Sequence, residues 1–391
     1  MNLDGVRVLD LTQLLPGPYG TQLLSDMGAE IIKVEPPTGD PARHIQGTEG
    51  WAGKVFSAVN SDKRSIAIDL KSEAGREVLY ELVRDVDVVF EQFRPGVTKR
   101  LGVDYDTLCE YREDIIYCSL TGYGQDGPYH NRAGHDLNYV GFSGLLDMTR
   151  PQRDTADEDG GLPGPTPVGY PIADMTGGLM AVTAILGALL ERELSGGGQY
   201  LDVSMTDAVL SYGQVELALA DAGGDPRPGE TPMSGALPWY DVYETADGRY
   251  VTLAALEPRF FQAFCEEIDR PDLVEYHLTQ DDAERAALRE ELSSIFAERT
   301  RDEWEATLGS ETMFGLVNTP TEALSDPHIQ ARDLLAETDA GHRRVAFSLT
   351  ADAVAEPGHI PELGEHTTQV LQDAGYESDA ITSLRERGAV R

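Results

Sequence analysis

"VRVLDLTQLLPGPYGTQLLSDMGAEIIKVEPP", residues 6–37, is the stretch whose reading decides the fold. VRVLDL is a short aliphatic, β-branched run of strand character. The segment "YGTQLLSDMG", residues 19–28, spaces Leu23, Leu24 and Met27 as one face of a helix. "AEIIKVE", residues 29–35, is a second apolar strand, and Pro36 and Pro37 end it because proline lacks the N–H that a ladder needs. Strand, helix, strand is a βαβ unit, and such a unit implies parallel pairing.

The rhythm continues down the chain. "RSIAIDL" (64–70) reads as a strand, "SEAGREVLYELVRD" (72–85) as a helix with a Ser/Glu start, and "VDVVFE" (86–91) as a strand. A helix around "YDTLCEYRED" (105–114) and the strand "IIYCSL" (115–120) follow. The expected fold class is therefore α/β, with a Rossmann-like parallel sheet carrying helices on both faces. A dinucleotide site is the first function to test. The turn "TQLLPGPYG" after the first strand lacks GxGxxG, and the match at Gly122, Gly124 and Gly127 runs into Pro128 and polar residues, with no helix start to hold a pyrophosphate. Nicotinamide chemistry is set aside on that ground.

Beyond residue 145 the chain loosens into the acidic Gly/Pro stretch "RPQRDTADEDGGLPGPTPVG", whose residues 154–168 read either as a cover for an acyl pocket or as a surface insertion. "ADMTGGLMAVTAILGALLERELSGGG" (173–198) is a helix, apolar almost all round and closed by glycines, which calls for burial. "YLDVSMTDAVLSYGQVELALA" (200–220) adds a strand and a helix, and "DAGGDPRPGETPMSG" (221–235) is a linker by composition. The expected organisation is a large domain over 1–225, to which 330–391 returns, and a smaller α+β domain over 235–325 that opens with a hairpin turning at Asp247 and Gly248.

The formal charge is −37, from 68 acidic and 31 basic residues, with lysine only at positions 33, 54, 63, 71 and 99. This sign argues against nucleic acid as a partner. Acids spread along the whole chain point to a solvated acidic shell suited to a salt-rich, halophilic cytoplasm, where screening relieves self-repulsion. No run of eighteen apolar residues and no basic, cleavable leader is present, so the expectation is a cytoplasmic protein with no membrane partner. Cys109, Cys118 and Cys265 are too scattered for a disulfide framework or a metal site.

Seven short motifs then occur in a fixed order: "GAEIIKVEPP", "DLKSEAGREVL", "FRPGVTKRLG", "TGYGQDGP", "AGHDLNY", "ADMTGGLMA" and "ALEPRFF". Together they resemble the family of α-methylacyl-CoA racemases and family III CoA-transferases, from residue 3 to roughly residue 335. "AGHDLNY", "YETADGRYV" and "LEPRFF" look like the racemase branch, whereas the poly-glycine loop usual in the transferase branch is replaced by "MSGALPWY". The resemblance implies an intertwined homodimer and an acyl-CoA substrate. No further cofactor and no metal are required, since CoA arrives as part of the substrate.

Racemising a 2-methylacyl thioester means taking the α-proton from one face and returning one to the other, so two bases must flank a planar enolate. The resemblance assigns these roles to His135 and Asp174, and gives Glu257 a hydrogen bond to the histidine that fixes its tautomer. Asp174 also reads as an N-cap of the apolar helix, and the backbone N–H groups at that helix start read as donors to the enolate oxygen. Arg94 and Arg100 supply positive charge for the CoA phosphates, and Ile68, Leu70, Lys71 and Phe93 match CoA contacts in the family. Many racemases have arginine where this chain has Pro36, a contact that Lys33 or Arg43 could replace. Asp136 reads as orienting the loop. The alternative activity is CoA transfer between carboxylic acids through an acyl anhydride on Asp174.

Overall fold

The computed structural model describes residues 3–45, 53–150, 164–346 and 358–391. They divide into two units, one drawn from 1–143, 168–213 and 328–391, the other from 144–167 and 214–327. The sequence places the domain change near 225–235. By backbone proximity the second unit begins at Gln214 and also takes in the described residues between 144 and 167. Most of the acidic 154–168 stretch lies outside the described residues.

The first unit runs β1 (Arg7–Asp10), α1 (Pro16–Asp26), β2 (Glu30–Glu35), α2 (Lys54–Ala58), β3 (Arg64–Ala67), α3 (Glu73–Val83), β4 (Val88–Glu91), α4 (Val97–Leu101), α5 (Tyr105–Cys109), β5 (Ile116–Thr121), α6 (Asp136–Phe142), α7 (Ile172–Ser195), β6 (Gln199–Ser204) and α8 (Met205–Leu210). All six strands are parallel, in the order β3-β2-β1-β4-β5-β6. The strands are short aliphatic runs because both faces are covered; in β4 every side chain is buried. The Ser/Glu helix start is realised at α3, where the Ser72 hydroxyl accepts the Gly75 N–H at 3.0 Å.

On one face, Leu9, Ile32, Ile66 and Val89 of the strands pack with Val78, Leu79 and Leu82 of α3. Val370, Leu371, Ile381, Leu384 and Val390 of the C-terminal segment pack into that same core. That segment ends in two short helices, 367–373 and 378–386. On the other face α7 lies against α1, β5, β6 and α8. The glycine pair of "ADMTGG" makes this possible: a Cβ on Gly178 would sit 2.4 Å from the Pro16 carbonyl oxygen.

By length and hydropathy alone α7 could cross a membrane. One of its faces, with Ala173, Gly177, Ala181, Val182 and Ile185, is buried in the unit. The opposite face leaves Leu190 and Leu194 at 63% and 80% exposure. The helix is therefore one-sided in burial, although its sequence is apolar almost all round.

The second unit contains α9 (Gln214–Asp221), the hairpin β7 (Tyr240–Glu244) and β8 (Tyr250–Ala254), α10 (Pro258–Glu267), and β9 (Phe314–Leu316) pairing with β8. The hairpin turns at Gly248, whose φ is +70°. Its core is aromatic: Trp239, Phe261, Phe264, Phe296 and Trp304.

Candidate active site

The strand order reverses direction between β1 and β4, and in an open α/β sheet the crevice outside the carboxyl ends at such a point receives ligands. The turns that leave these two strands do meet there. Gln13 and Leu14, after β1, and Gln92, Phe93 and Arg94, after β4, line a cavity of about 600 Å³. The Gly17 N–H donates to Gln92 Oε1 at 3.0 Å and ties the start of α1 to the second turn. A second cavity of about 140 Å³ adjoins Val34, Pro36, Ile68, Leu70 and Lys71. Phe93 lines both.

His135 and Asp174 both line the larger cavity. His135 immediately precedes α6, and its backbone N–H donates to Asn138 Oδ1 at 3.0 Å. The glycine of "AGHDLNY" is required by a ring: a Cβ on Gly134 would lie 2.7 Å from the Tyr139 ring, whose hydroxyl donates to the Gly134 carbonyl at 2.7 Å. This closure sets the direction in which His135 leaves the loop.

Asp174 differs from its sequence reading. It stands inside the first turn of α7, where Pro171 occupies the capping position without a side-chain bond. The cap comes from another helix: Asp136 Oδ1 accepts the Ala173 N–H at 2.6 Å and the Asp174 N–H at 3.1 Å. These helix-start donors, which the sequence reading aims at an enolate oxygen, are already engaged by Asp136. Burial pushes the Asp174 carboxyl up to about 7, and the neighbouring Asp136 carboxylate pushes it the same way.

A second shifted carboxyl, without a role in the sequence reading, sits beneath the Phe93 turn. Glu91 ends β4, is almost wholly buried, and is pushed up to about 7 by that burial. Its Oε2 accepts the Phe93 N–H at 2.6 Å, and the Ser119 hydroxyl donates to its other oxygen. The turn that carries Arg94 is thus pinned from below. Arg132 and His130, which no sequence motif singles out, also line the cavity.

The substituents proposed for Pro36 are both occupied. Lys33 is buried against Asp40 at 3.0 Å and the Thr12 carbonyl at 3.1 Å. Arg43 forms a two-pronged pair with Glu35, both arms at 2.7 Å, and also bonds the Pro361 carbonyl. Neither is free for a phosphate. Arg100, on α4, borders neither of these cavities, whereas Arg94 borders the larger and Ile68, Leu70 and Lys71 the smaller. Glu257 belongs to the second unit, exposed at the head of α10 in the N-cap position. Among the described residues no group of three or more His, Cys, Asp or Glu side chains is placed to hold a metal ion.

This arrangement matches known proteins along nearly its whole length. Over 401 residues the chain is 34% identical to a succinyl-CoA:mesaconate CoA-transferase of Haloarcula marismortui, covering 96% of this chain and 97% of that one. It is 32% identical to the alpha-methylacyl-CoA racemase of Mus musculus, covering 98% of this chain and 96% of that protein. A CAIB/BAIF family protein from Brucella suis superimposes with a TM-score of 0.79 at 29% identity, covering 95% of this chain and 99% of the other. Residues 3–367 match the sequence profile of CoA-transferase family III, and the chain belongs to that family.

Proposed function

We propose that the protein is an α-methylacyl-CoA racemase working by two-base proton transfer. The observation that carries this reading is the pair His135 and Asp174 at one cavity, with the Asp174 carboxyl near 7. A group with that midpoint is part acid and part base at neutral pH, as proton return to carbon requires. The imidazole takes the α-proton of one epimer, leaving its electron pair in the enolate. The Asp174 carboxyl then gives its own proton to the opposite face, so the centre inverts and no co-reactant is consumed. The reverse direction exchanges the two roles. Asp174 as an anhydride-forming nucleophile needs a carboxylate at rest, which burial beside Asp136 disfavours.

In this reading Arg94 neutralises a CoA phosphate, and Phe93 divides the acyl cavity from the one that receives the nucleotide end beside Ile68, Leu70 and Lys71. No cofactor beyond the CoA of the substrate is involved, and the enzyme acts in a salt-rich cytoplasm. It works as a homodimer, with the apolar outer face of α7 covered by a second copy and Glu257 reaching His135 across the assembly.

The deciding experiment incubates a single epimer of a 2-methylacyl-CoA in heavy water, follows deuterium and chirality at the α-carbon, and separately offers a free carboxylic acid. Deuterium entering as optical activity decays, with no acceptor present, is the expected result. CoA moving to the acid while the α-proton stays in place overturns the racemase assignment. Glu257→Gln is expected to retain acyl-CoA affinity while kcat falls roughly 10- to 100-fold, because the imidazolium loses its counter-charge but no phosphate contact is touched. An unchanged kcat removes Glu257 from the mechanism.

A further inference from the structure

The dipeptide His135-Asp136 joins two functions in adjacent residues. His135 faces the cavity, while Asp136 turns to the start of α7 and accepts the N–H groups of Ala173 and Asp174. A carboxylate at a helix N-terminus is well placed for its own sake, since it meets free N–H donors and the positive end of the helix dipole. Because Asp136 accepts the Asp174 N–H itself, its negative charge also acts on the carboxyl of that residue.

Other titratable and charged groups share the cavity wall with Asp174. From α6 comes the Tyr139 phenol, which itself feels both Asp174 and Asp136. From the turn after β4 comes Arg94, and from the segment before α6 come His135 and Arg132, all on the cavity wall. The side chains that α1, β5 and α8 present to Gly177 and Gly178 are Tyr19, Leu120 and Met205, none of them charged at neutral pH.

We propose that Asp136 is a positioning residue for the reaction: its carboxylate, held by the backbone of α7, keeps the proton on Asp174 until the α-carbon of the substrate takes it. This rests on the two-base reading of the site. It gives Asp136 a role beyond loop orientation, and explains why the acid opens α6 at a point where it can reach α7. The N–H bonds fix the position of Asp136, and its charge acts on Asp174. Burial and the Asp136 charge raise the Asp174 carboxyl in the same direction.

Asp136→Asn separates the two contributions. The amide oxygen can accept the same two N–H groups, so the cap persists while the negative charge disappears. Two measurements then report on the charge alone. The first is the titration of Asp174, followed by the carbon-13 signal of its carboxyl and assigned by its absence in Asp174→Asn. Its midpoint is expected to fall by roughly one pH unit or more, while staying above the ordinary carboxylate range because burial remains.

The second is the pH dependence of kcat/KM for each epimer. The two reactive forms of the enzyme carry the same number of protons, so both directions share one bell whose limbs belong to the pair. The bell is expected to move toward acid as a unit in Asp136→Asn. A purely structural cap would lower activity and leave the bell in place.

An unmoved Asp174 midpoint in folded Asp136→Asn overturns the proposal. Should that variant fail to fold, Asp136→Ser, which also accepts helix-start N–H groups without charge, is read the same way. A wild-type enzyme that shows no α-proton exchange overturns the racemase reading alone, since the carboxyl titration does not depend on which reaction follows.

Discussion

Asp174→Asn is expected to lower racemisation roughly 10²- to 10⁴-fold, the usual worth of a general acid or base, and at the same time to make the protein harder to unfold above neutral pH. On the chemical side His135 survives, so one epimer should still exchange its α-proton with solvent while its configuration is retained. The other epimer should exchange hardly at all. Equal loss of exchange from both epimers would count against separate bases on the two faces.

The stability gain follows from the carboxyl's displacement to about 7. In the unfolded chain an aspartate titrates at about 4. Below that pH it is protonated in both states, and an asparagine in its place changes little. As pH rises through the interval the unfolded chain ionises first, so the wild-type fold loses stability by about 1.4 kcal/mol per pH unit. Above pH 7 both states are ionised and the full penalty stands, of order 2–4 kcal/mol. Asp174→Asn escapes it. Denaturant midpoints for the two proteins should therefore coincide near pH 4 and separate progressively up to about pH 8, the variant being the more stable. Parallel curves across that range would show that the site does not hold a strained carboxylate.

Folding is expected to strengthen steeply as potassium chloride rises from tenths molar to molar. With 68 acids against 31 bases, repulsion is the dominant long-range interaction at this surface. The distribution makes it acute in places: Asp281, Asp282, Glu284 and Glu290 are all exposed on and just before a single helix. Exposed pairs such as Arg64 with Asp373 weaken in salt, but acids outnumber their possible partners, so net relief is favourable. Buried pairs such as Lys63 with Asp10 are screened much less. A gain of about 3 kcal/mol, or roughly 4 °C in melting temperature for a chain of this length, is the expected size. Most of it should arrive by 1 M, where the Debye length has shrunk to about 3 Å. A melting temperature that stays flat or falls over this range would sink the halophilic reading.

Much of the site was legible because its parts are local. Prolines 36 and 37, the aliphatic strand runs and the Ser72 start identify the βαβ rhythm without knowledge of the tertiary fold. His135 and Asp174 are candidates on the family resemblance of short motifs, and each motif's glycines have a local steric cause, Gly134 under the Tyr139 ring and Gly178 against α1. The hairpin at Gly248 was readable from its turn chemistry alone.

What escaped the sequence depends on residues far apart in the chain. The order β3-β2-β1-β4-β5-β6 cannot be read from six similar aliphatic runs, yet it places the turns of β1 and β4 side by side and so creates the cavity. The cap of α7 comes from Asp136, 37 residues before Ala173, and a capping rule that looks only at adjacent residues assigns it to Asp174 instead. Lys33 and Arg43 look like free cations in sequence, but Asp40 and Glu35 claim them in the folded chain. Glu91 looks like the polar end of a strand, and only its burial between β5 and the Phe93 turn gives it a proton near neutrality. Residue types and local spacing determined the elements and the chemical inventory. Tertiary packing decided which charges are buried, which are paired and which face each other, because desolvation and Coulomb interactions depend on distance in space and hardly at all on distance along the chain.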